Sequence, residues 1–467
     1  MEPIQIVSIS KEFNNDLTTP MAAYLRLNEV DAFLLESVEK GESVGRYSII
    51  GLQPLIKVQG YSDFVCLVSN GNQSMIDGDP LDTLKTIYQQ IEQDNNGDPP
   101  INNGFFGYFS WEIIGAIEDV DIQRHSDQLY EFQLPKILIV FDHAKQTMTI
   151  TISTMDGRDG VDDMNEVLYK IQSPLAATMH ASVVEPVDMN WDNIRSNWTK
   201  DEYKDGVEKI KAHIKEGNIF QGVLSQKFKL NSDKESLSVY RALRHINPSP
   251  YMFYFNYGDY KLIGSSPEIL VKATGKVATL RPIAGTRKRG EVADETALID
   301  ELKTDEKEMA EHIMLVDLGR NDLGRVCQYD SVKVSGLMGI EMYSHVMHMV
   351  TNVTGTLLHG ITPIDLFKAV FPAGTVSGAP KIRAIEIIND IEPDPRHIYS
   401  GAVGYFNLDG DMDFCIAIRT IIKTKDGSYE VQAGGGIVND SDADREYHET
   451  LMKAEGVLLA CLSGATP

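Results

Sequence analysis

The clearest helical pattern in the chain lies between Thr199 and Gly217, in the stretch TKDEYKDGVEKIKAHIKEG. Its apolar residues recur every three or four positions, which is typical of an amphipathic helix with one buried face. Thr199 stands where a helix cap is expected, with Glu202 three residues later in the position that completes a capping box. Gly217 is a typical residue for the end of a helix. We therefore predict a helix over this stretch.

Strand patterns occur on both sides of this helix. In LPKILIVFDHAKQTMTITIS, a buried run at Ile137–Phe141 and an alternating run at Thr147–Ser153 flank polar turn residues, which predicts a β-hairpin. The glycine-rich stretch GFFGYF, just before it, predicts another strand. Six later runs also resemble strands: GVLSQKFKL, YMFYFNY, YKLIGSS, KVATLRPIAG, VTNVTGTLL and SYEVQAGGG.

Further helices are predicted at Asp162–Ile171, Asp294–Arg325, Pro363–Phe371, Pro380–Asp390 and Ser441–Leu462. Helices and strands do not alternate regularly, so the pattern favours an α+β fold with largely antiparallel sheets packed with helices. We predict three segments: an N-terminal domain over residues 1–155, a helix and linker over 156–195, and a larger domain over 196–467.

The composition limits the function classes. The 467 residues include 68 acidic and 43 basic ones, giving a formal net charge of −25. Phosphate-rich surfaces would repel such a chain, so we expect no nucleic-acid or membrane partner. It has no apolar run long enough to span a bilayer and no signal peptide at its N-terminus, which predicts a soluble cytoplasmic protein. The four cysteines lie singly in apolar surroundings, as buried thiols do.

Two acidic pairs invite a chemical interpretation. Glu308 and Glu311 are three residues apart on a predicted helix, and so are Glu446 and Glu449. Such spacing places both carboxylates of a pair on one helix face. Each pair could simply be part of a solvated surface. Alternatively, the two helices converge and their oxygen ligands hold Mg²⁺, which would cancel the repulsion among four acids.

Several stretches could bind an anion. RPIAGTRKRG concentrates arginines around a Gly-Thr turn, and QAGGGIV has three consecutive glycines that permit close approach of the backbone to a ligand. FPAGTVSGAPKIRAIEII places small residues before a helix, with Ser377 or Gly378 as the expected cap and Pro380 in the first turn. Arg419 lies within an apolar run, CIAIRTII, where an arginine is costly to bury unless it pairs with an anion. None of these stretches has the spacing of a nucleotide-binding P-loop.

The order of these stretches resembles the chorismate-utilising enzyme family. The resemblance covers about Asp201 to Lys453, and within it the following motifs occur in order: SSPEIL, RPIAGT, TDEKEMAEHIMLVDLGRND, HVMHMV, FPAGTVSGAPKIRAIEII, YSGAVGY, AIRT, AGGGIV and DREYHETLMKA. The N-terminal stretches LLESVEKGESVGRYSIIG and GYFSWEIIGAIED are similar to the anthranilate-forming branch of the family. That branch converts chorismate and ammonia to anthranilate and pyruvate, the first committed step towards tryptophan.

The resemblance implies a role for each matching residue. Glu311 and Glu449 would bind Mg²⁺, supported by Glu308 and Glu446. The residues that would bind chorismate are Gly285, Thr286, Tyr399, Arg419, Gly434, Gly435, Gly436 and Lys453. His348 and Glu268 would assist departure of the C4 hydroxyl, and Thr375 would lie against the substrate in the catalytic centre. For His348 the alternative is a buried histidine that only satisfies its own hydrogen bonds.

Two positions favour amination at C2 of the ring over the other reactions of the family. Gln221 stands where isochorismate and salicylate synthases carry a water-activating lysine, and Ala284 stands where many aminodeoxychorismate synthases carry a nucleophilic lysine. The closest alternative is nevertheless an aminodeoxychorismate synthase large subunit of the folate pathway. A tryptophan-sensing protein without catalysis is a third possibility, against which intact Glu311, Glu449 and Arg419 argue.

The resemblance also implies two partners. The chain lacks a Gly-x-Cys-x-Gly nucleophile turn and any visible glutaminase set, so ammonia would come from a separate glutamine amidotransferase subunit. Tryptophan would bind and inhibit at a pocket formed by Ser37 of LLES with Pro250, Tyr251 and Met252 of SPYMF. The alternative for these four residues is a buried strand packed on a loop.

Overall fold

A computed structural model describes residues 3–37, 45–69, 71–122, 128–157, 160–174, 187–288, 295–342 and 346–464. The predicted linker residues 175–186 and the arginine at position 289 lie outside these ranges. In the described ranges no helix is both long and apolar enough to cross a membrane. All four cysteines are free and buried, as their apolar neighbours predicted.

The described strands, in chain order, are β1 (Ile4–Asn14), β2 (Phe33–Glu36), β3 (Tyr47–Gly60), β4 (Phe64–Ser69), β5 (Asn72–Asp77), β6 (Ile91–Asn96), β7 (Gly104–Phe109), β8 (Tyr130–Asp142), β9 (Thr147–Thr154), β10 (Arg195–Ser196), β11 (Gln221–Asn231), β12 (Tyr251–Asn256), β13 (Lys261–Ser266), β14 (Ile269–Thr274), β15 (Val277–Leu280), β16 (Ile283–Lys288), β17 (Lys333–Met342), β18 (Val346–Thr356), β19 (Gly378–Ala379), β20 (Ala402–Asn407), β21 (Met412–Ile416), β22 (Thr420–Lys423) and β23 (Ser428–Ile437).

The described helices are α1 (Pro20–Leu27), α2 (Pro80–Gln89), α3 (Val161–Gln172), α4 (Lys200–Lys215), α5 (Ser236–Ile246), α6 (Glu295–Thr304), α7 (Glu306–Gly324), α8 (Pro363–Val370), α9 (Gly374–Ser377), α10 (Lys381–Ile391) and α11 (Ala443–Ser463). Short 3₁₀ turns cover Trp111–Ala116 and Trp191–Asn193.

The strands form a large branched sheet around the long pair β3–β8. One branch runs from β8 and β3 through β2, β12, β13, β22, β23 and β11. The other runs from β8 through β7, β20, β21, β14, β15 and β18, which β16 and β17 flank. Among the described strands β1 pairs with β6 in parallel and the other pairings are antiparallel. The predicted α+β class with largely antiparallel sheet is confirmed.

The chain-terminal segments share strands and core. β2 pairs with β12, and β7 pairs with β20, so strands from residues 1–155 complete sheets built from residues 196–467. Phe109 stacks on Phe367 of α8 with ring centroids 3.9 Å apart and also contacts Phe414. The predicted domain boundaries stay a prediction, because the strands themselves do not mark where one unit ends.

Most local predictions hold, and two need correction. The capping box of Thr199 and Glu202 begins α4 as expected. The helix predicted over Asp294–Arg325 is two helices, because Asp305 lies between α6 and α7 and its carboxylate accepts a hydrogen bond from the Glu308 amide at 3.2 Å. The N-cap of α10 is Pro380 rather than Ser377 or Gly378, which belong to α9 and the short strand β19.

Candidate active site

The acidic pair of α11 lies beside strand β23, and Glu311 of α7 is linked to that strand through Gln221. Glu446 and Glu449 lie on α11 next to Gly435, where an added Cβ would be 3.3 Å from Oε2 of Glu446 and 3.7 Å from Oε1 of Glu449. On the other side, the Gln221 amide donates to Oε1 of Glu311 at 3.2 Å. The same amide nitrogen would be 2.5 Å from a Cβ on Gly436. The Glu446 and Glu449 carboxylates therefore lie beside Gly435, while the Gln221 amide stands between Glu311 and Gly436.

Glu308 approaches the site through Gly285. An added Cβ on Gly285 would lie 3.3 Å from Oε2 of Glu308, and the backbone of Gly285 is in the left-handed region at φ 67°. Such a backbone favours glycine, so this turn can hold a carboxylate against the strand without steric conflict. Thr286 follows in β16 opposite His348, and its side chain lies outside the described part of the chain.

The three glycines of β23 have little space beside them. An added Cβ on Gly434 would lie 2.7 Å from the Leu224 carbonyl oxygen and 2.8 Å from the Tyr399 hydroxyl. The Lys453 ammonium donates to the carbonyl oxygen of Gly434 at 3.0 Å and pairs with Oε1 of Glu449 at 2.7 Å. A phenol, an ammonium and a carboxylate thus surround a backbone that only glycine fits.

Glu268 and Thr375 form a hydrogen-bonded pair. The Thr375 hydroxyl donates to Oε2 of Glu268 at 3.1 Å. Burial raises the pKa of Glu268, while the Thr375 bond and the positive charges of Arg419 and Lys453 oppose the shift. A carboxyl group with a raised pKa keeps its proton at higher pH, so it can act as a general acid.

Hydrogen bonds fix both the backbone and the guanidinium of Arg419. Its backbone is left-handed, with φ 49°, and its carbonyl oxygen accepts a hydrogen bond from the Ser265 amide at 3.1 Å. One guanidinium nitrogen donates to Oδ1 of Asn247 at 3.2 Å. Because its charge acts on both Glu268 and His348, the guanidinium lies within electrostatic reach of both groups.

His348 lies in β18, opposite Glu341 of β17. Burial lowers the pKa of His348, and a hydrogen bond to the backbone of Gly285 and the carboxylate of Glu341 partly oppose this shift. The imidazole is therefore neutral near pH 7, and one ring nitrogen can accept a proton. Its bond to Gly285 also connects it to the strand that Glu308 touches.

Tyr399 is buried beside these groups. Burial raises the pKa of Tyr399 to about 12. The Arg396 guanidinium lowers this pKa, whereas the carboxylates of Glu392 and Glu268 raise it. The phenol consequently remains protonated and can donate a hydrogen bond to an anion.

A partly open cleft adjoins this centre. Glu268, Gly374 and Thr375 line one part of it, while Leu315 and Asp322 of α7 line another. Its lining does not include the carboxylates of α11 or Arg419, so the cleft and the acidic centre share only the Glu268 and Thr375 side.

The acidic residues offer hard oxygen donors from two helices, which suits Mg²⁺. Within the described ranges no three His, Cys, Asp or Glu side chains stand close enough together to form a complete ion cage. Two of the carboxylates instead have cationic or amide partners: Lys453 on Glu449 and Gln221 on Glu311. This arrangement fits an ion whose coordination is completed by water and substrate oxygens, as is common for Mg²⁺.

The predicted inhibitor residues also come together. Met252 of β12 pairs with Glu36 of β2, which places Ser37 next to the start of β12. The Ser37 hydroxyl is buried and has no hydrogen-bond partner among the described residues. The buried Tyr251 hydroxyl donates to Oδ1 of Asp413 at 2.9 Å. Pro250 immediately precedes β12, so the four predicted residues lie at the end of β2 and the start of β12, two paired strands.

Sequence reasoning missed several residues that shape the site. The sequence indicated Gln221 only as a residue in the place of a lysine, and it did not predict that the Gln221 amide bonds Glu311. Asn247 and Arg396 were not considered at all. The i,i+4 spacing of Glu392 and Arg396 was a signal for a salt bridge, but the two prolines between them hid it.

Comparison with known proteins gives the family. The profile of the chorismate binding enzymes matches residues 31–459. The chain is 42% identical to anthranilate synthase component 1 of Acetivibrio thermocellus over 475 residues, covering 97% of this chain and 95% of that protein. It is 42% identical to anthranilate synthase component 1 of Synechocystis sp. over 487 residues, covering 97% and 96%.

Solved structures agree. The crystal structure of anthranilate synthase component I from Streptococcus pneumoniae superposes with a TM-score of 0.78 at 34% identity, covering 95% of this chain and 98% of that one. The menaquinone-specific isochorismate synthase of Escherichia coli shares the fold, with a TM-score of 0.71 at 18% identity over 99% and 96% of the chains.

The chain belongs to the chorismate binding enzyme family. Within that family, the resemblance to the large subunit of anthranilate synthase is confirmed by these relatives, and so is the prediction that the chain is an enzyme of that type.

Proposed function

We propose that the chain converts chorismate and ammonia to anthranilate and pyruvate. Ammonia adds at C2 of the ring while the C4 hydroxyl leaves as water, giving aminodeoxyisochorismate. Loss of the C2 proton and of the enolpyruvyl group as pyruvate then gives the aromatic ring. The relatives named anthranilate synthase component 1, matched over nearly their whole length, support this reaction.

Chorismate carries two carboxylates, which an acidic chain can bind only at a local positive site. Arg419, Lys453 and the protonated phenol of Tyr399 would receive the enolpyruvyl carboxylate, together with the backbone amides of Gly434–Gly436. The crowding around Gly434 supports this role, because it brings the phenol and the ammonium to one backbone segment. Such an arrangement orients the ring before any bond changes.

The carboxylates of the two acidic pairs are suited to binding Mg²⁺ as a cofactor. Glu311 and Glu449 would hold it directly, and Glu308 and Glu446 would support it through water. When bound, the ion supplies the positive charge that the second carboxylate of chorismate needs at this end of the site. The support for this assignment is the position of Glu446 and Glu449 beside Gly435, together with the Gln221 amide that bonds Glu311 and lies beside Gly436.

Glu268 would donate a proton to the departing C4 hydroxyl. Hydroxide is a poor leaving group unless it is protonated, and the raised pKa of Glu268 suits a general acid. Thr375 orients this carboxyl by its hydrogen bond. His348, neutral because burial lowers its pKa, would assist at the same oxygen.

Ammonia, rather than water, is the proposed nucleophile. Gln221 is 7% exposed and its amide donates to Glu311, so it provides no base that could activate water. Ala284 of β16 offers no amine that could attack the ring. These two residues favour anthranilate over isochorismate and over the aminodeoxychorismate of the folate pathway.

The component 1 names of the relatives imply a partner component. We propose that this partner is a glutamine amidotransferase subunit that supplies ammonia. We also propose a cytoplasmic location, and feedback inhibition by tryptophan at the pocket of Ser37, Pro250, Tyr251 and Met252. The Ser37 hydroxyl is buried and has no partner among the residues that the structure describes, which supports a ligand there, because such a group is normally satisfied.

The observation that carries the proposal is the meeting of Lys453, Tyr399 and the α11 carboxylates at the glycines of β23, with Glu311 linked to Gly436 through the Gln221 amide. The test is an assay with chorismate, Mg²⁺ and ammonium at alkaline pH, followed by anthranilate fluorescence and by chromatography of the products. Anthranilate and pyruvate in equal amounts are expected. Isochorismate as the product would indicate an isochorismate synthase instead. A 4-amino product alone would indicate an aminodeoxychorismate synthase.

A further inference from the structure

Arg396 is almost completely buried, with 2% of its surface exposed, and it lies in the segment between α10 and β20. An arginine there must satisfy five N–H donors away from water. Its Nε and one terminal nitrogen bond the Glu392 carboxylate at 2.8 and 2.7 Å, which makes a two-pronged ion pair. This contact uses two of the five donors.

The remaining three donors bind the segments that form the active site. One terminal nitrogen donates to the Val376 carbonyl oxygen at 2.8 Å and to the Ser400 hydroxyl at 3.3 Å. The other donates to the Val223 carbonyl oxygen at 2.6 Å. Every donor of the guanidinium thus has an acceptor.

Each of these acceptors is close to a proposed site residue. Val376 follows Thr375, and Ser400 follows Tyr399. Val223 lies in β11 directly opposite Gly436. The carboxylate of Glu392 extends the network, because it accepts hydrogen bonds from the Ser225 amide and hydroxyl at 2.8 and 2.7 Å.

Ser225 lies opposite Gly434 in the same ladder, and its hydroxyl accepts a hydrogen bond from the Gln432 amide at 2.8 Å. The guanidinium also lies over the rings of Trp111 and Tyr399, with centroids 4.5 and 5.6 Å away. A planar, delocalised cation can stack on rings and donate in its plane at once, whereas a lysine ammonium cannot.

We propose that the ion pair of Arg396 and Glu392 is a positioning element for the chorismate site. It fixes the Thr375 loop, the Tyr399 turn and the glycine strand relative to one another, although neither member is placed in contact with substrate. The proposal rests on the site roles given above for Thr375, Tyr399 and Gly434–Gly436.

Stability alone does not explain this pair. Buried ion pairs are often replaceable by apolar residues without loss of stability. An apolar replacement would, however, leave the carbonyl oxygens of Val376 and Val223 without their donor and the Tyr399 ring without its cation. The fold could persist while the site loses its geometry.

The first test is Arg396→Lys, which keeps the positive charge but loses the two-pronged hydrogen bonding of the guanidinium. We expect kcat/KM for chorismate, with saturating ammonium, to fall about 100-fold, as misplacement of catalytic groups by about 1 Å does. The loss should include a raised KM. Arg46→Lys is the matched control, because Arg46 makes a similar two-pronged bond to Asp142 away from the site.

A second variant separates positioning from folding. Arg396→Met combined with Glu392→Met removes both buried charges and keeps the volume filled, so circular dichroism and thermal melts should report a native fold. Its kcat/KM should nevertheless be as low as that of Arg396→Lys. Leu84→Ala, a core variant in α2, shows what a comparable loss of stability does to the kinetics.

Native variants with unchanged KM and kcat would overturn the proposal. If neither variant folds, the pair is a folding determinant and the proposal is likewise wrong. Tyr399→Phe is assayed in parallel. If Tyr399→Phe is fully active, the proposed chorismate site is wrong. If Tyr399→Phe is impaired while a folded Arg396→Lys variant keeps full activity, the proposed positioning role is wrong.

Discussion

The side-chain amide of Gln221 donates a hydrogen bond to the carboxylate of Glu311 across 3.2 Å, although 90 positions separate the two residues in the chain. The same amide packs on Gly436, whose neighbour Gly435 touches Glu446 and Glu449. One contact therefore joins helix α7 to β11, the strand that pairs with β23.

Glu311→Gln removes one charge from the proposed Mg²⁺ site while keeping the shape of the side chain. We expect anthranilate formation to fall at least about 100-fold, because a carboxylate ligand and its charge are lost. The melting temperature should stay close to that of the parent chain. Calorimetric titration with Mg²⁺ should show weakened binding.

Glu306→Gln is the matched control, since Glu306 is an exposed residue in the first turn of the same helix. It should leave both Mg²⁺ binding and activity unchanged. Full activity of Glu311→Gln would disprove the ligand assignment.

Gly434→Ala should damage the substrate clamp. The new Cβ would lie 2.7 Å from the Leu224 carbonyl oxygen and 2.8 Å from the Tyr399 hydroxyl, closer than real contacts allow. We expect KM for chorismate to rise more than about tenfold and the unfolding free energy to drop by about 1–3 kcal/mol, the range for overpacking. Steady-state kinetics and denaturant unfolding measure the two effects.

Gly324→Ala provides the comparison, because an added Cβ there meets no atom within 4 Å. Gly324→Ala should leave both the KM for chorismate and the unfolding free energy unchanged. A Gly434→Ala chain with the parent KM would show that the clamp tolerates the extra atom.

Glu268→Gln should abolish the acid step and change the pH dependence of stability. Since burial raises the folded pKa of Glu268, the parent chain binds this proton more tightly when folded. Its stability contribution is present below the unfolded pKa, about 4.3, and is lost as pH rises through the folded pKa. Glutamine is neutral throughout, so the variant should gain stability relative to the parent across that window.

Denaturant unfolding from pH 4 upward, for the parent chain and for Glu268→Gln, measures this difference. The two curves should converge at acid pH and separate as pH rises, with the variant the more stable. An advantage that is the same at every pH would mean that Glu268 does not titrate in this range.

Ser37→Ala should weaken inhibition by tryptophan without slowing catalysis. The Ser37 hydroxyl is buried and unpartnered in the described structure, so a ligand that bonds it would lose that bond in the variant. We expect the inhibition constant for tryptophan to rise about tenfold, the effect of roughly one buried hydrogen bond. Anthranilate fluorescence with increasing tryptophan measures it.

Ser74→Ala, in the exposed strand β5, serves as the control and should be inhibited like the parent chain. Unaltered inhibition of Ser37→Ala would place the inhibitor elsewhere. Loss of catalysis in that variant would instead show that Ser37 supports the active site.

Much of the fold could be predicted because local patterns determined it. The Thr199 capping box, the hairpin of β8 and β9 and helix α11 all follow from periodicity and terminal residues within a few positions. The break at Asp305 was missed because α6 and α7 continue one helical pattern in the sequence, whereas in the structure the Asp305 carboxylate accepts a bond from the Glu308 amide and begins a second helix.

The sequence alone determined which chemistry was available: the two acidic pairs, the glycine run, the isolated Arg419 and the order of motifs that identifies the family. Only the tertiary structure decided which residues meet. Gln221 reaches Glu311, and Arg396 reaches Val223 and Val376, because the register of β11 against β23 and the packing of α7 bring distant segments together. Such contacts depend on long-range pairing and burial, which local periodicity does not specify.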